Sequence, residues 1–330
     1  MKVILFEEFG GYDKLKIVDR PMPQPKEGQL LVKVNTAAVN PVDDTLRLGH
    51  IKSRVTFPKI LGNEAAGTVV KGNDEFPDGT RVIISCYDAQ GGVRGISSDG
   101  AWQEYLALDP TELIKIPDTV SDETAAAFPV AYFSAWACLD KADFAAGQSV
   151  LSFAAGGAVG NAGVQLATAM SASLVITTAG STEKANQATK AGIKNVIDLS
   201  KSSLTESVML LTQNKGVNVV IDMVGGNLTG QALSALSRNG ILVVIGYAAG
   251  TEFSAKITDF VWKGIQMRGQ SLSSYTERTK HKKALETMLP LLAKGKIQPP
   301  VARVFTADEI GEAHRYMIED RPFGKVLFKF

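Results

Sequence analysis

Over the first 120 positions, apolar residues fall in short runs separated by Gly, Asp or Pro. The runs at 1–6 and 30–34 are rich in β-branched residues, and the segment between them carries Pro21, Pro23, Pro25 and Gly28. Proline fixes φ and removes a backbone donor, so that segment is a rigid connection rather than a strand. Further runs at 65–71, 81–86, 101–108 and 113–116 predict strands. Short strands punctuated in this way predict a compact, barrel-like antiparallel sheet.

The pattern changes at Ser121. Residues 121–124, SDET, offer helix N-cap chemistry, and a long apolar stretch follows at 125–140. From Gln148 onward, strand-like and helix-like segments alternate, with strands predicted at 149–153, 174–178, 195–197, 217–221, 241–245 and 265–267. Such alternation predicts a parallel, doubly wound sheet, and its six strands match the size of a dinucleotide-binding fold. The end of the chain reads as a Lys-rich polar helix and a last strand at 324–328, which is expected to return to the first domain. The expected organisation is α/β, with residues 1–121 and 272–330 forming a barrel-like domain and residues 122–271 a doubly wound domain of the nucleotide-binding type.

The strand at 149–153 runs into Ala154, Ala155, Gly156, Gly157, Ala158, Val159 and Gly160, and then into a helix predicted at 161–170. Small residues there allow a tight turn, a close approach of backbone to a pyrophosphate, and close packing of helix on sheet. The helix amides then face the anion. Strand, glycine turn and helix inside an alternating series form the context this motif needs. NAD-specific folds place an acid at the end of the second strand to hold the ribose hydroxyls. Here that strand ends at Thr177 and Thr178, and Gly180, Ser181 and Lys184 follow. A hydroxyl and an ammonium at a helix start suit a 2′-phosphate, so NADPH is the expected cofactor. Gly246 and Tyr247, just past the fifth strand, fall on the carboxyl edge, where such sheets bind ligands.

Composition narrows the class. A length of 330 residues implies two domains, and 45% apolar with 21% charged residues is ordinary globular usage. The 35 basic and 34 acidic side chains leave a net charge of +1, which argues against nucleic acid or an anionic membrane as the main partner. Lys280, Lys282 and Lys283, with His281 among them, read as a solvated helix face. Cys86 and Cys138, the only cysteines, cannot form a disulfide framework or a four-thiolate zinc site, and they read as buried small hydrophobes in a reducing compartment. The N-terminus lacks the long apolar region of a signal peptide, and no apolar run reaches membrane-spanning length. A cytoplasmic protein is expected.

Six stretches in this order, AVNPVD at 38–43, GNEAAG at 62–67, DGAWQEY at 99–105, AAAFPVAYFSAW at 125–136, VIDMVGG at 220–226 and GKV at 324–326, carry a resemblance. The chain resembles the medium-chain dehydrogenase/reductase superfamily, and most of all its zinc-free quinone oxidoreductase branch, through almost its whole length. The resemblance implies a GroES-like barrel domain interrupted by a Rossmann-type domain, with nicotinamide and substrate held between them. It also implies NADPH-dependent reduction of a small-molecule quinone or activated enone, often by a homodimer.

Zinc-dependent members of the superfamily use Cys where this chain has Asn40 and His where it has Asn63, and Asn is a poor zinc ligand. No metal is expected. The resemblance makes Asn40 the candidate group at the acceptor, with Asp43 orienting its loop. Some members carry tyrosines in the next segment; 45–51 here has none, and His50 is the candidate proton donor there, its reference pKa lying near neutrality. His281 and His314 read as surface residues. Tyr87, Trp102 and Phe128 are either cleft or core, and Glu64 calls for a buried partner. By resemblance, Ser134, Ser271, Leu272, Phe323 and Lys325 contact the cofactor. The sequence leaves two alternatives open: a non-catalytic NADPH-binding sensor or structural protein, and a zinc-dependent alcohol dehydrogenase.

Overall fold

The computed structural model describes residues 1–275 and 277–330. Its strands are, in chain order, β1 (Lys2–Phe6), β2 (Lys16–Asp19), β3 (Leu30–Val39), β4 (Lys59–Ile60), β5 (Ala65–Lys71), β6 (Arg81–Ile84), β7 (Tyr105–Leu108), β8 (Leu113–Lys115), β9 (Ser149–Ser152), β10 (Leu174–Ala179), β11 (Val196–Asp198), β12 (Val217–Asp222), β13 (Leu236–Val244), β14 (Gln266–Gly269), β15 (Val301–Thr306) and β16 (Lys325–Lys329). The helices are α1 (Pro41–Arg47), α2 (Asp122–Ala127), α3 (Pro129–Lys141), α4 (Ala158–Ala169), α5 (Thr182–Lys190), α6 (Leu204–Leu211), α7 (Asn227–Ser234), α8 (Ile257–Lys263), α9 (Arg278–Ala293) and α10 (Ile310–Arg315). Two compact units result. The first comprises Met1–Val130, the segment from Glu277 to Lys294, and Pro299–Phe330; the second comprises Ala131–Tyr275 and Gly295–Gln298.

In the first unit, a seven-stranded sheet runs β15-β16-β3-β5-β6-β8, with β7 paired to β3, and a smaller sheet runs β2-β1-β4. β3 alternates buried and part-exposed positions from Leu30 to Val34 and is buried throughout from Thr36 to Val39. It outruns the expected strand because Ala37, Ala38 and Val39 pair with Phe328, Leu327 and Val326 of β16. That antiparallel register brings the end of the chain back into the first unit. The expected strand at 101–108 begins only at Tyr105. Before it, Ala101 and Trp102 donate their amides to the carbonyls of Gly62 and Leu61 at 2.9 and 3.1 Å, so these residues brace a loop instead. Trp102 is fully buried, donates Nε1–H to the Ala38 carbonyl at 3.0 Å, and packs edge-on against Phe328.

The second unit carries a six-stranded parallel sheet in the order β11-β10-β9-β12-β13-β14. The order reverses between β9 and β12, the topological switch point at which such sheets bind ligands. Leu151, Phe153, Ile176, Val220 and Leu242 fill its core, all of them fully buried. Upstream of this unit, α2 starts where the SDET stretch predicts, and the Ser121 hydroxyl accepts the amide of Thr124 at 3.2 Å.

His314 departs from its surface reading. It is fully buried on α10, a helix whose Ile310, Ala313 and His314 face inward at i, i+3, i+4 spacing.

Candidate active site

At the carboxyl edge of the parallel sheet, β9 leaves through a turn shaped by small residues. Ala154 adopts φ +60°, the left-handed region that side chains disfavour. It is held there by its amide to Thr178 Oγ1 at 3.0 Å and by its carbonyl, which accepts from Gly157 N at 2.9 Å. The next amide, Ala155 N, reaches the Thr178 carbonyl at 2.9 Å, so the end of β10 braces the turn. Asn161 Nδ2 donates to the Ala155 carbonyl at 3.1 Å and secures its far side.

A Cβ at Gly160 would overlap the carbonyls of Phe153 and Ala154, so the fold itself demands glycine there. Gly157 differs. A Cβ there would lie 3.4 Å from the Ala154 carbonyl, an ordinary contact, and its φ is −80°. Neither packing nor conformation requires glycine at that position. Gly157 is also the N-cap of α4, and no side chain caps that helix. The cradle therefore suits an anion set close against backbone amides. Ala155 is buried, Gly156, Ala158 and Val159 half-buried, and Gly157 exposed.

The second strand ends in a comparable opening. Gly180 is exposed, with nothing within 4 Å of where its Cβ would sit. Ser181 caps α5 by accepting the Lys184 amide at 3.3 Å. Lys184 is half-buried and joins no ion pair among the described residues. Two acids lie near this opening: Glu183, exposed in the first turn of α5, and Asp198, one strand further out, whose carboxylate accepts from the Thr182 hydroxyl at 2.6 Å.

Past β12 the buried Asp222 accepts from the amides of Val224 and Gly225, both at 2.8 Å, and from the Thr229 hydroxyl at 2.5 Å. This turn seats the loop that carries Gly246 and Tyr247: Ala249 N donates to the Val224 carbonyl at 2.7 Å, and Gly226 N to the Gly250 carbonyl at 3.1 Å. Tyr247 is 64% exposed. Ser271 is exposed, and its hydroxyl accepts from Ser273 N; Leu272 follows half-buried. Ser134, in contrast, is buried on α3 at 4% exposure.

The first unit gathers a second set. Asn40, Asp43, Glu64 and Lys325 are all buried and linked by hydrogen bonds. Asn40 Nδ2 donates to Glu64 Oε1 at 3.0 Å, and Lys325 Nζ donates to Asn40 Oδ1 at 2.6 Å. Lys325 also forms an ion pair with Glu64. The second Glu64 oxygen accepts Val130 N at 2.6 Å. Asp43 accepts from Asn40 N at 2.8 Å and from Gly62 N at 3.2 Å, and burial pushes its pKa up to about 7. Lys325, expected at the cofactor by resemblance, thus turns its ammonium into this cluster. His50 is exposed beyond α1 and does not join it, and Phe323 is half-buried ahead of β16. Tyr87 stacks on His281 with ring centroids 4.0 Å apart, and Phe128 is fully buried.

The fit to zinc is poor. Both ends of the Asn40 amide are engaged by Lys325 and Glu64, and Asn63 Nδ2 donates to the Arg94 carbonyl at 2.5 Å. An ammonium inside the cluster opposes a dication by charge. Burial pushes the neighbouring Cys86 thiol far up, away from the thiolate a metal needs. Among the described residues, no group of three or more His, Cys, Asp or Glu is placed to hold a metal.

A parallel sheet of this order, with a small-residue turn at the carboxyl end of its central strand, is of the dinucleotide-binding type. Residues 26–118 match the alcohol dehydrogenase GroES-like domain, and residues 158–294 match the zinc-binding dehydrogenase family. The chain is 33% identical to quinone oxidoreductase-like protein 2 of Bos taurus over 318 residues, covering 94% of this chain and 88% of that protein. Among solved structures, an NAD-dependent alcohol dehydrogenase superposes with a TM-score of 0.89 at 26% identity, and the quinone oxidoreductase of Escherichia coli complexed with NADPH with a TM-score of 0.86 at 27% identity, each over 100% of both chains. The chain belongs to the medium-chain dehydrogenase/reductase superfamily and is an oxidoreductase.

Proposed function

We propose that this enzyme is an NADPH-dependent, zinc-independent reductase of quinones or activated enones. The observation that carries the cofactor reading is the end of β10, where an open glycine, a serine and an ion-pair-free lysine stand in place of an acid. The α4 amides and the turn at 154–160 hold the pyrophosphate, and Ser181 and Lys184 take the 2′-phosphate. When bound, NADPH supplies a hydride, which with one proton from water converts a quinone to its hydroquinone. Asn40 Nδ2 donates a hydrogen bond to the acceptor carbonyl, where negative charge develops. The Lys325–Glu64 ion pair, set against the Asn40 amide, supports the zinc-independent reading. The lack of an apolar helix long enough to cross a membrane, among the described residues, and the two free cysteines support action in the cytoplasm. β14 at the sheet edge, beside the exposed Ile257, Val261 and Trp262 of α8, supports a homodimer.

Mixing the protein with NADPH and phenanthrenequinone or a short enone will consume the nicotinamide absorbance. Absence of turnover across a broad acceptor panel overturns the reading. Lys184→Ala will weaken NADPH binding by roughly 1.5–3 kcal/mol, the range for hydrogen bonds to charged groups, and leave NADH binding little changed. Equal losses for both cofactors overturn the 2′-phosphate assignment. Zinc at about one ion per chain by metal analysis overturns zinc independence, since a catalytic site holds a single ion.

A further inference from the structure

We infer that Lys325 is a positioning residue: with Glu64 it locks the side-chain amide of Asn40 in one orientation, leaving a single Nδ2 hydrogen to meet the acceptor carbonyl. The inference rests on the reductase reading, in which Asn40 is the donor. β3 and β16 set Val39 opposite Val326, so the next rung of the antiparallel pair brings Asn40 beside Lys325, 285 residues away in sequence. Lys325 Nζ donates to Asn40 Oδ1 at 2.6 Å and pairs with Glu64, while Asn40 Nδ2 donates to Glu64 Oε1 at 3.0 Å.

An ammonium only donates, and a carboxylate only accepts. Flipping the amide would set NH₂ against NH₃⁺ and a carbonyl oxygen against a carboxylate, losing both bonds at once. The chemistry of the two neighbours therefore dictates which end is oxygen. All three side chains are buried, at 4, 0 and 4% exposure for Asn40, Glu64 and Lys325, so water does not compete for these bonds. Nδ2 carries two hydrogens, and Glu64 takes one. Among the described residues the other has no acceptor. An amide free to rotate would also present its oxygen to the substrate, which repels a carbonyl. The lock removes that orientation in advance, and in this way Lys325 serves the hydride step without touching the acceptor.

The test uses a charge-neutral pair, because K325M alone leaves the Glu64 charge buried without its cation. E64Q/K325M removes both charges. It is expected to melt within a few degrees of the wild type and keep its KM for NADPH within about twofold, while kcat for quinone reduction falls at least about tenfold, the pattern of a lost transition-state interaction. Because Lys325 acts through Asn40, N40A/E64Q/K325M should be no slower than N40A, a full coupling in the mutant cycle. Wild-type kcat in E64Q/K325M, or losses that multiply with N40A, overturns the inference. N40A with wild-type kcat overturns instead the reading of Asn40 as donor, and the lock falls with it.

K325R is the second variant. Its guanidinium presents donors to the same two oxygens, so kcat should stay within about threefold of wild type, and a loss as deep as that of N40A counts against the lock. A readout independent of turnover is hydrogen exchange of the Asn40 side-chain amide in ¹⁵N-labelled protein. Exchange should accelerate about tenfold or more in E64Q/K325M as the hydrogen-bonded state opens. Equal exchange in both proteins overturns the lock.

Discussion

His314 and Asp43 are buried groups whose titrations pull stability in opposite directions. The His314 ring lies near Tyr12, Trp102 and Arg47, with Asp44 Oδ1 3.9 Å from Nε2, and among the described residues neither ring nitrogen has a hydrogen-bond partner. Burial first, and the Arg47 charge second, hold its pKa down at about 3 from 6.5. As pH falls below 6.5 the unfolded chain takes up a proton that the folded chain refuses until about 3, so stability falls with pH across that window. Asp43 does the reverse. Its pKa rises from 3.8 to about 7, mainly through burial. The folded chain keeps a proton that the unfolded chain has lost, so this contribution is full below 3.8 and is lost as pH rises through about 7. One proton of difference corresponds to about 1.4 kcal/mol per pH unit, so where the windows overlap the two slopes offset each other. His314→Leu should remove the acid limb and expose the Asp43 slope, with stability then falling as pH rises toward neutrality. Asp43→Asn should expose the His314 limb. Urea midpoints measured across that pH range check both, and a wild-type slope in either variant counts against the assignment.

At the scale of an element, the N-terminus of α4 separates two reasons for glycine. Gly160→Ala drives a methyl into the carbonyls of Phe153 and Ala154 and should destabilise the second unit by about 1–3 kcal/mol, the usual cost of overpacking. Gly157→Ala meets only an ordinary contact at a permitted φ, so its melting temperature should hold while dinucleotide affinity falls by about tenfold, one hydrogen bond's worth. Calorimetry of both variants decides between them, and a Gly157→Ala protein that binds like wild type removes the cradle reading. This turn was legible in the sequence because its meaning is local: a strand, small residues and a helix follow one another in the chain. The Ser121 cap and the alternating strands were legible for the same reason. Glu64 could be read as needing a buried partner, yet its partner lies 261 residues on, and no local pattern names a pairing that distant. Phe323 and Lys325 are expected at the cofactor by resemblance, and the β3–β16 register sets the Lys325 ammonium against Asn40 and Glu64, a contact that no local pattern names. His314 reads as exposed among Glu312 and Arg315, although Ile310 and Ala313 mark the face it shares. Asn161 and Thr178 brace the glycine turn from side chains that the motif does not specify; the position of Asn161 immediately after Gly160 is the one local signal for such a role.

At the scale of the whole molecule, each compact unit holds one thiol. Cys86 belongs to the first and Cys138 to the second, and both are free and fully buried. Burial pushes both thiols far above the ordinary range, with Glu64 adding to the effect at Cys86 and Asp222 at Cys138. Neither thiol offers a reactive thiolate while its unit is closed, so alkylation reports opening. A ligand that binds only the folded state stabilises it by RT ln(1 + [L]/Kd), about 2.7 kcal/mol at a hundredfold excess over Kd. The dinucleotide cradle is built from the unit that contains Cys138. With NADPH at that excess, labelling of Cys138 by iodoacetamide should slow by about a hundredfold, the full linkage effect. Cys86 should slow equally if the two units open as one, and less if the first unit opens alone. Mass spectrometry of the two cysteine peptides over a time course separates these cases. Undiminished labelling of Cys138 at saturating NADPH would mean that the nucleotide does not bind the closed second unit, and the cradle at 154–160 would then have no claim to it.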